Sequence, residues 1–375
     1  MGLIKLGDSI IEEIIIDANP DLGFNFPFKI YIPQDMPDTS EVVFKCNVTR
    51  NYIGQYDTLE EIQEAVLKEG FVGYSNLDIV DAHFVFDLKC PLIVPAIPRG
   101  SEFRPHFLGR SIYKLNESGT SIPISKEDKI LDIKKYYKLD EQEKNMINFA
   151  LDYLRGLEKD ISDKVILSGY SEGSKWASHF ALLHPEVVKG IVAGGTGGLM
   201  SMPLVNEDGY MLTYPTGIAD VQFFDEEEYN KIAFFYYMGS TDKADPARPK
   251  FQKAYEYDEN GNLVPKKDEC GNSCPLLDDN GKPVFILKDN GDYQTSYPSM
   301  YSDQEVNNIN KALGLSIQDR FRKQEEIFND LGLNATCKMY EGNHRTIFKN
   351  SEELFNDIDY FMTNNLNKRE TLGTK

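Results

Sequence analysis

The chain has 375 residues, of which 41% are hydrophobic and 27% are charged, so it is a globular protein with ample material for a large core. Its 60 Asp and Glu residues outnumber its 40 Lys and Arg residues, which gives a formal net charge of -20. A surface this acidic repels phosphate backbones and anionic lipids, so we expect neither nucleic acid nor a membrane surface as a partner.

The N-terminal sequence MGLIKLGDSIIEEIIID carries Asp and Glu where a signal peptide has an unbroken apolar stretch. No apolar run reaches the roughly 18 residues of a transmembrane helix. We therefore expect no membrane span and a cytoplasmic protein, or a secreted one if an export signal has been removed. Among the five cysteines, Cys270 and Cys274 are close enough in sequence to form a disulfide in an oxidising compartment, and no nearby histidine completes a metal site.

Short apolar runs rich in β-branched residues alternate with segments of helical period, which is typical of an α/β sheet. The sequence predicts strands over 10–16, 28–32, 42–46, 91–98, 164–167, 188–193, 232–238 and 335–340. It predicts helices over 58–70, 140–158, 176–181, 317–331 and 351–362. The fold class is therefore α/β, with a single domain over 1–375 built on a mostly parallel eight-stranded sheet flanked by helices.

Residues 246–310 depart from this alternation. Asn-Gly pairs between apolar runs mark tight type I′ hairpins, and they occur here at 260–261, 280–281 and 290–291. The acidic clusters beside them lack the ligand spacing and the closing Glu of a calcium loop, so solvated turns are the favoured interpretation. We expect 246–310 to be an inserted hairpin-rich, lid-like subdomain, with Tyr293, Tyr297 and Tyr301 as candidate lining residues.

The sequence Gly169-Tyr170-Ser171-Glu172-Gly173 is a G-x-S-x-G motif between a β-branched strand and an amphipathic helix, the context of a nucleophile elbow. Such a turn holds the serine in a strained conformation at the carboxyl end of a sheet, with a helix N-terminus behind it. A Cβ atom at either glycine would collide with the neighbouring strand or helix. Ser171 is therefore the candidate nucleophile; the alternative is a glycine-lined turn with an incidental serine.

A serine hydroxyl needs a base to take its proton, so a histidine is required. Of the five histidines, His344 is the strongest candidate, because it follows the predicted strand ATCKMYEG in a GNH turn. His179 and His184 belong to the helix after the serine, and His83 lies in the apolar run DAHFVFDL, where packing is expected. His106 follows the PLIVPAIP strand and stays a second candidate.

The base needs a carboxylate that fixes its tautomer and stabilises the imidazolium. The strand IAFFYYM leads into Gly239-Ser240-Thr241-Asp242, and Asp245 follows three residues later. Asp242 matches an acid at a strand end more closely, since Pro246 biases Asp245 towards an extended conformation.

The elbow GYSEG, the strand-end acid GSTD and the late GNH occur in the order Ser171, Asp242, His344. On these motifs the chain resembles the α/β-hydrolase superfamily, and the likeness covers most of its length. The resemblance implies the α/β-hydrolase fold and an acyl-enzyme intermediate on Ser171.

The resemblance also implies an oxyanion hole made by the backbone amide of Glu172 and an amide just after the third strand, at Asn47 or Val48. Here CNVTRN stands where a His-Gly or glycine run is usual. The candidate substrate contacts are Tyr170, His106 and Tyr297.

Together these residues predict a serine esterase that cleaves a small-molecule carboxylic ester and needs no cofactor or metal. Ser171 attacks, His344 transfers the proton and Asp242 orients His344. Two alternatives stay open: a serine peptidase or amidase on the same fold, and a binding protein of this fold without turnover.

Overall fold

The structure is a computed structural model. It describes residues 2–6, 9–46, 79–96, 113–115, 121–123, 139–219, 221, 223–267, 273–296 and 301–366. The predicted helix 58–70 lies outside these residues, as do Asn47, Val48, His106, Cys270 and Tyr297.

Within the described residues the main sheet has nine strands. In chain order they are β1 (Gly2–Leu6), β2 (Ser9–Ile16), β3 (Phe28–Pro33), β4 (Thr39–Lys45), β5 (Leu92–Pro95), β6 (Asp160–Tyr170), β7 (Val188–Gly194), β8 (Ala233–Gly239) and β9 (Asn334–Tyr340). Their spatial order is β1-β2-β3-β5-β4-β6-β7-β8-β9. The pairs β1-β2, β2-β3 and β3-β5 are antiparallel. The pairs β5-β4, β4-β6, β6-β7, β7-β8 and β8-β9 are parallel. The predicted mostly parallel eight-stranded sheet is confirmed, and β1 adds a ninth strand at one edge.

Helices cover both faces of the sheet. They are α1 (Ile79–Phe86), α2 (Leu139–Arg155), α3 (Glu172–Leu183), α4 (Glu226–Tyr229), α5 (Asp303–Leu313), α6 (Ile317–Asp330) and α7 (Ser351–Asn364). Short 3-10 turns span Pro20–Leu22, Pro185–Val187 and Thr346–Asn350. In the described part of the chain, no helix combines the length and the apolar character needed to cross a membrane.

Strand β8 shows how the sheet is held between its two helical layers. All seven of its residues are buried, and alternate side chains point to opposite faces, as the two-residue period of a strand requires. Phe234 and Tyr236 pack against Phe328 of α6 on one face. Phe235 packs against Phe361 of α7 on the other. The central strands are therefore fixed from both sides, which gives their carboxyl ends a rigid base.

Three further strand pairs are small. They are Tyr113–Leu115 with Ser121–Pro123, Asn206–Glu207 with Tyr210–Met211, and Tyr255–Tyr257 with Leu263–Pro265. The last pair and the isolated bridges Leu277↔Pro283 and Leu287↔Tyr293 are hairpins around the three Asn-Gly pairs. The region 246–310 is not all hairpin, because its end forms helix α5. Ser302 and Glu305 form the capping box of this helix, a signal that the sequence contains.

The hairpin turns are of a different type from the one predicted. Only the glycine of each Asn-Gly pair has a positive φ, at 77°, 74° and 83°, whereas a type I′ turn needs two such residues. The amide of Gly261 donates to the carbonyl of Asp258 at 2.9 Å, which is a type I turn followed by a bulge. The carboxylate of Asp258 accepts the amides of Asn260 and Asn262 at 2.9 and 2.8 Å. This local bonding favours the type I geometry, and it uses the carboxylate that a calcium loop would need.

Candidate active site

Ser171 lies at a sharp turn between β6 and α3. Its backbone has φ 59° and ψ -114°, a conformation that is unfavourable for a residue with a Cβ atom and that persists only where the surroundings hold it. The Ser171 amide donates to the carbonyl of Gly194 in β7 at 2.8 Å. A Cβ atom at Gly169 would lie 2.5 Å from the carbonyl carbon of Gly173. The strand and the helix therefore approach closely enough to force the turn.

His344 follows β9, which is separated from β6 by β7 and β8, and reaches the serine across the carboxyl edge of the sheet. Its Nε2 atom lies 2.9 Å from Ser171 Oγ, and its Nδ1 atom lies 2.7 Å from Asp242 Oδ2. The imidazole is partly exposed, at 26%, whereas the Asp242 side chain is 1% exposed. Since a carboxylate can only accept a hydrogen bond, Nδ1 carries the hydrogen and Nε2 is left to accept the serine proton.

The loop after β8 fixes the position of Asp242. Its Oδ1 atom accepts the backbone amide of Ala244 at 2.8 Å, so each carboxylate oxygen has a donor. The Gln318 side chain of α6 donates to the Asp242 backbone carbonyl at 2.8 Å. Strands β6, β8 and β9 run parallel, so their carboxyl ends meet at one edge of the sheet and bring three distant residues together.

Asp245 has a different partner. Its carboxylate forms an ion pair with the guanidinium of Arg320 and also accepts the Ala247 amide at 3.0 Å. The Arg320 side chain is fully buried and the Asp245 side chain is 8% exposed. The structure therefore places Asp242, and not Asp245, beside His344.

Three other histidines are packed away from Ser171. His83 lies between the carboxylates of Asp87 and Asp359, at 2.7 Å from each. His179 is buried at 3% exposure, and His184 Nε2 lies 3.1 Å from Asp140 Oδ2.

His184 also belongs to the one group in the described ranges that could hold a metal ion, together with Asp140 and Glu141. Burial disfavours the imidazolium, but hydrogen bonds to Asp140 and Glu186 outweigh it and raise the pKa of His184 to about 9. The ring is therefore a cation at neutral pH. It pairs with the carboxylates itself, and a metal ion would have to displace its proton to bind there.

Tyr170 supports the histidine turn. Its hydroxyl donates to the backbone carbonyl of His344 at 2.6 Å, and the two rings lie 5.1 Å apart. Gly195, at φ 64°, lies close to the same imidazole, since a Cβ atom there would be 2.9 Å from His344 Cε1. The sequence predicts Tyr170 as a substrate contact and gives no prediction for Gly195. The Gly194-Gly195 pair at the end of β7 was the available signal.

A buried ionic group lies beneath the elbow. Lys45, at the end of β4, forms an ion pair with Asp81 of α1, and Asp81 is fully buried. The hydroxyl of Ser168 in β6 donates to the second oxygen of Asp81 at 2.8 Å. The group links β4, α1 and β6 three residues before Ser171.

Of the predicted oxyanion donors, the structure describes Glu172. Glu172 occupies the first position of α3, where helix dipoles produce a partial positive charge that favours an anion. Asn47 and Val48, and the predicted substrate contacts His106 and Tyr297, lie outside the described residues.

Comparison with protein-family models finds no match to this sequence, and comparison with curated proteins finds none either. Among solved structures, a poly(3-hydroxybutyrate) depolymerase from Bordetella parapertussis aligns over 95% of this chain and 90% of its own, with 10% identity and a TM-score of 0.41. An S-formylglutathione hydrolase from Agrobacterium tumefaciens aligns over 97% and 99%, with 12% identity and a TM-score of 0.39. A siderophore hydrolase from Aspergillus nidulans aligns over 94% of both chains, with 11% identity and a TM-score of 0.37.

These TM-scores are below 0.5, so the fold assignment rests on the molecule itself. The eight strands β2 to β9 have one antiparallel strand, β3, between the first strand and a parallel block, and the chain crosses over between β4 and β5. The strand–turn–helix around Ser171 stands at the centre of that block. The chain has the α/β-hydrolase fold that its motifs predict.

Proposed function

We propose that the protein is a serine hydrolase that cleaves a carboxylic ester through an acyl-enzyme intermediate. The observation that carries this proposal is the hydrogen-bonded chain from Ser171 Oγ to His344 Nε2, at 2.9 Å, and from His344 Nδ1 to Asp242, at 2.7 Å. It supplies a nucleophile, a base and an acid that holds the base, which is the arrangement that acyl transfer requires.

In the proposed reaction, Ser171 Oγ attacks the ester carbonyl while His344 Nε2 takes its proton. The tetrahedral intermediate carries a negative oxygen, which the backbone amide of Glu172 and an amide at Asn47 or Val48 would stabilise. As the C–O bond to the alcohol breaks, His344 returns the proton to the leaving oxygen. Water then attacks the acyl-enzyme with His344 again as base, releasing the acid and restoring Ser171.

The main alternative differs from an esterase in the kind of bond that is cleaved. A serine peptidase or amidase would use the same three residues, but an amine is a poorer leaving group than an alcohol and depends more on protonation by the histidine. The rates at which an ester and an amide with the same acyl group are cleaved show this difference directly. A binding protein without turnover would leave both intact.

The test combines a fluorophosphonate probe with an ester and amide panel. We expect the probe to label Ser171 in the native chain and not in Ser171→Ala, and p-nitrophenyl acetate to be hydrolysed by the native chain alone. Cleavage of p-nitroacetanilide by the native chain that is lost in Ser171→Ala would favour the amidase. If Ser171→Ala kept more than a few per cent of the native rate with its fold intact, Ser171 would not be the nucleophile.

We also propose that the hairpins of 246–310 act as a lid or wall of the site. This segment begins four residues after Asp242 and ends before His344, so its ends emerge at the edge of the sheet that carries the three residues. A cover of this kind changes selectivity more than the chemical step. Replacing 250–295 with a short Gly-Ser linker should widen the range of accepted esters, and an unchanged selectivity would place the segment away from the substrate.

A further inference from the structure

A groove with a cavity volume of about 940 Å³ lies between the hairpins and the start of α6. We call it the Lys250 groove and define it by Asp242, Lys243, Arg248, Lys250, Lys253 and Gln318, which are among its lining residues. The volume falls at the upper end of the range for sites that bind small molecules. The acid that holds His344 is therefore one of the lining residues, and most of the others belong to the insert and the start of α6.

Four basic and three acidic side chains line this groove. Its acids are engaged elsewhere: Asp245 pairs with Arg320, Asp303 pairs with Lys288, and Asp242 binds His344. Lys243, Lys250 and Lys253 are exposed, and none of them has a carboxylate partner among the residues that the structure describes. In a chain with a net charge of -20, a cleft lined by these cations is a local site of attraction for anions.

The groove also has an apolar side. Phe251 and Phe285 from the insert and Ile317 from α6 line it together with the lysines. The Arg248 guanidinium lies 5.0 Å from the centre of the Phe251 ring, so cationic and apolar surfaces are interleaved. A ligand that matches this lining has an apolar body and a carboxylate.

The position of the groove relative to His344 indicates which part of a substrate would reach it. His344 lies between Ser171 and Asp242. Asp242 lines the groove and Ser171 and His344 do not, so a substrate that occupies it has to extend past the imidazole from the serine. In ester cleavage by this arrangement the histidine protonates the leaving alcohol, so the alcohol lies on the histidine side of the serine. The acyl group stays on the serine and extends away from it.

We propose that the Lys250 groove binds the alcohol portion of the substrate, and that this alcohol carries a carboxylate on an apolar chain. This inference rests on the proposed ester hydrolysis and names its substrate class. Lys250 and Lys253 bind the carboxylate as specificity-determining residues, and the aromatic rings pack against the chain between it and the ester.

The test compares acidic and neutral esters of the same length, using acetate release at low ionic strength. The acidic esters are the acetates of ω-hydroxyhexanoic and ω-hydroxydecanoic acid, and the neutral ones are hexyl acetate and decyl acetate. We expect the native chain to cleave at least one acidic ester with a kcat/KM about tenfold above that of its neutral match. Added salt should reduce this preference, because salt screens exposed charges.

The variant Lys250→Glu/Lys253→Glu should lose the preference and keep its kcat/KM on the neutral esters. Lys282→Glu is the matched control, since Lys282 is an exposed lysine of the same insert that does not line the groove. Lys250→Gln/Lys253→Gln replaces the double Glu variant if that one does not fold. A native preference for the neutral ester at both lengths, or an equal loss on both kinds of ester in the double variant, would overturn the proposal.

A failure of the proposed function is visible separately, as absent hydrolysis of p-nitrophenyl acetate. In that case calorimetric titration of the native chain with ω-hydroxydecanoate still measures binding of the carboxylate to the Lys250 groove. Binding that is lost in the double variant and kept in Lys282→Glu supports the carboxylate site, and absent binding contradicts it.

Discussion

Arg320 binds the carboxylate of Asp245 in a buried ion pair, three residues after the carboxylate that lies beside His344. The two acids share one loop, yet one is tied to α6 and the other to the candidate base. Substituting each acid in turn should therefore separate an effect on stability from an effect on catalysis.

Asp242→Asn should lower kcat by about four orders of magnitude, because the orienting acid fixes the tautomer in which Nε2 can accept the serine proton. Asp245→Asn should lower kcat of the folded protein by less than about tenfold, since its carboxylate does not contact the imidazole. Its free energy of unfolding should instead fall by about 3–5 kcal/mol, as the Arg320 guanidinium loses its charged partner. Kinetics at matched folding and urea unfolding measure the two effects, and the reverse ranking of kcat would transfer the acid role to Asp245.

Tyr170 should act as a positioning residue. Tyr170→Phe removes the hydroxyl that donates to the His344 carbonyl at 2.6 Å and leaves the contact between the two rings in place. A lost hydrogen bond of about 1 kcal/mol in the histidine turn corresponds to a severalfold lower kcat. We expect KM and the melting temperature to change little.

The control for this variant is Tyr360→Phe, because Tyr360 is 58% exposed on α7. It should behave like the native chain in every measurement. A raised KM with unchanged kcat in Tyr170→Phe would instead support the substrate contact that the sequence predicts.

The strands and the serine turn could be predicted because their signals are local. A run with Val165 and Ile166 defines β6, an aromatic run defines β8, and G-x-S-x-G with its flanking elements is contained within a few residues around Ser171. His344 and Asp242 could be selected because each follows a strand, and parallel strand ends meet at one edge. The structure brings the three within hydrogen-bond distance, while their catalytic roles stay proposals.

The supporting contacts could not be predicted in this way. Arg320 and Asp245 are 75 residues apart, and the Tyr170 hydroxyl meets a carbonyl 174 residues further along the chain. Such pairs depend on how helices and loops pack on the sheet, which periodicity does not specify. The prediction of type I′ turns was wrong for a local reason. The hydrogen bonds of the Asp258 carboxylate decide between type I and type I′, and the Asn-Gly pair alone does not.

The His184 cluster predicts a pH-dependent stability. The pKa of His184 is raised from 6.5 to about 9 in the folded chain, so the protonated ring stabilises the fold. This contribution is fully present below about pH 6.5 and is lost as the pH rises through about 9. Over that window the free energy of unfolding should fall by up to about 3 kcal/mol.

His184→Gln provides the comparison, because it cannot titrate. The difference in unfolding free energy between the native chain and this variant should shrink between pH 6.5 and 9 in urea denaturation. A difference that stays constant across this range would contradict the raised pKa of His184.

The ion pair between Lys45 and Asp81 should show strong energetic coupling because both side chains are buried, at 9% and 0% exposure. Lys45→Met leaves the Asp81 carboxylate without this ammonium, and Asp81→Asn leaves the ammonium without this carboxylate, so each should cost about 3–5 kcal/mol. The double variant buries neither charge and keeps an acceptor for the Ser168 hydroxyl. Its cost in unfolding free energy should fall at least about 2 kcal/mol below the sum of the single costs.

The exposed pair Lys231 and Glu227 is the control, with an expected coupling below about 1 kcal/mol. Additive single effects at Lys45 and Asp81, measured by urea unfolding of the four proteins of the cycle, would mean that this group does not hold β4, α1 and β6 together beneath Ser171.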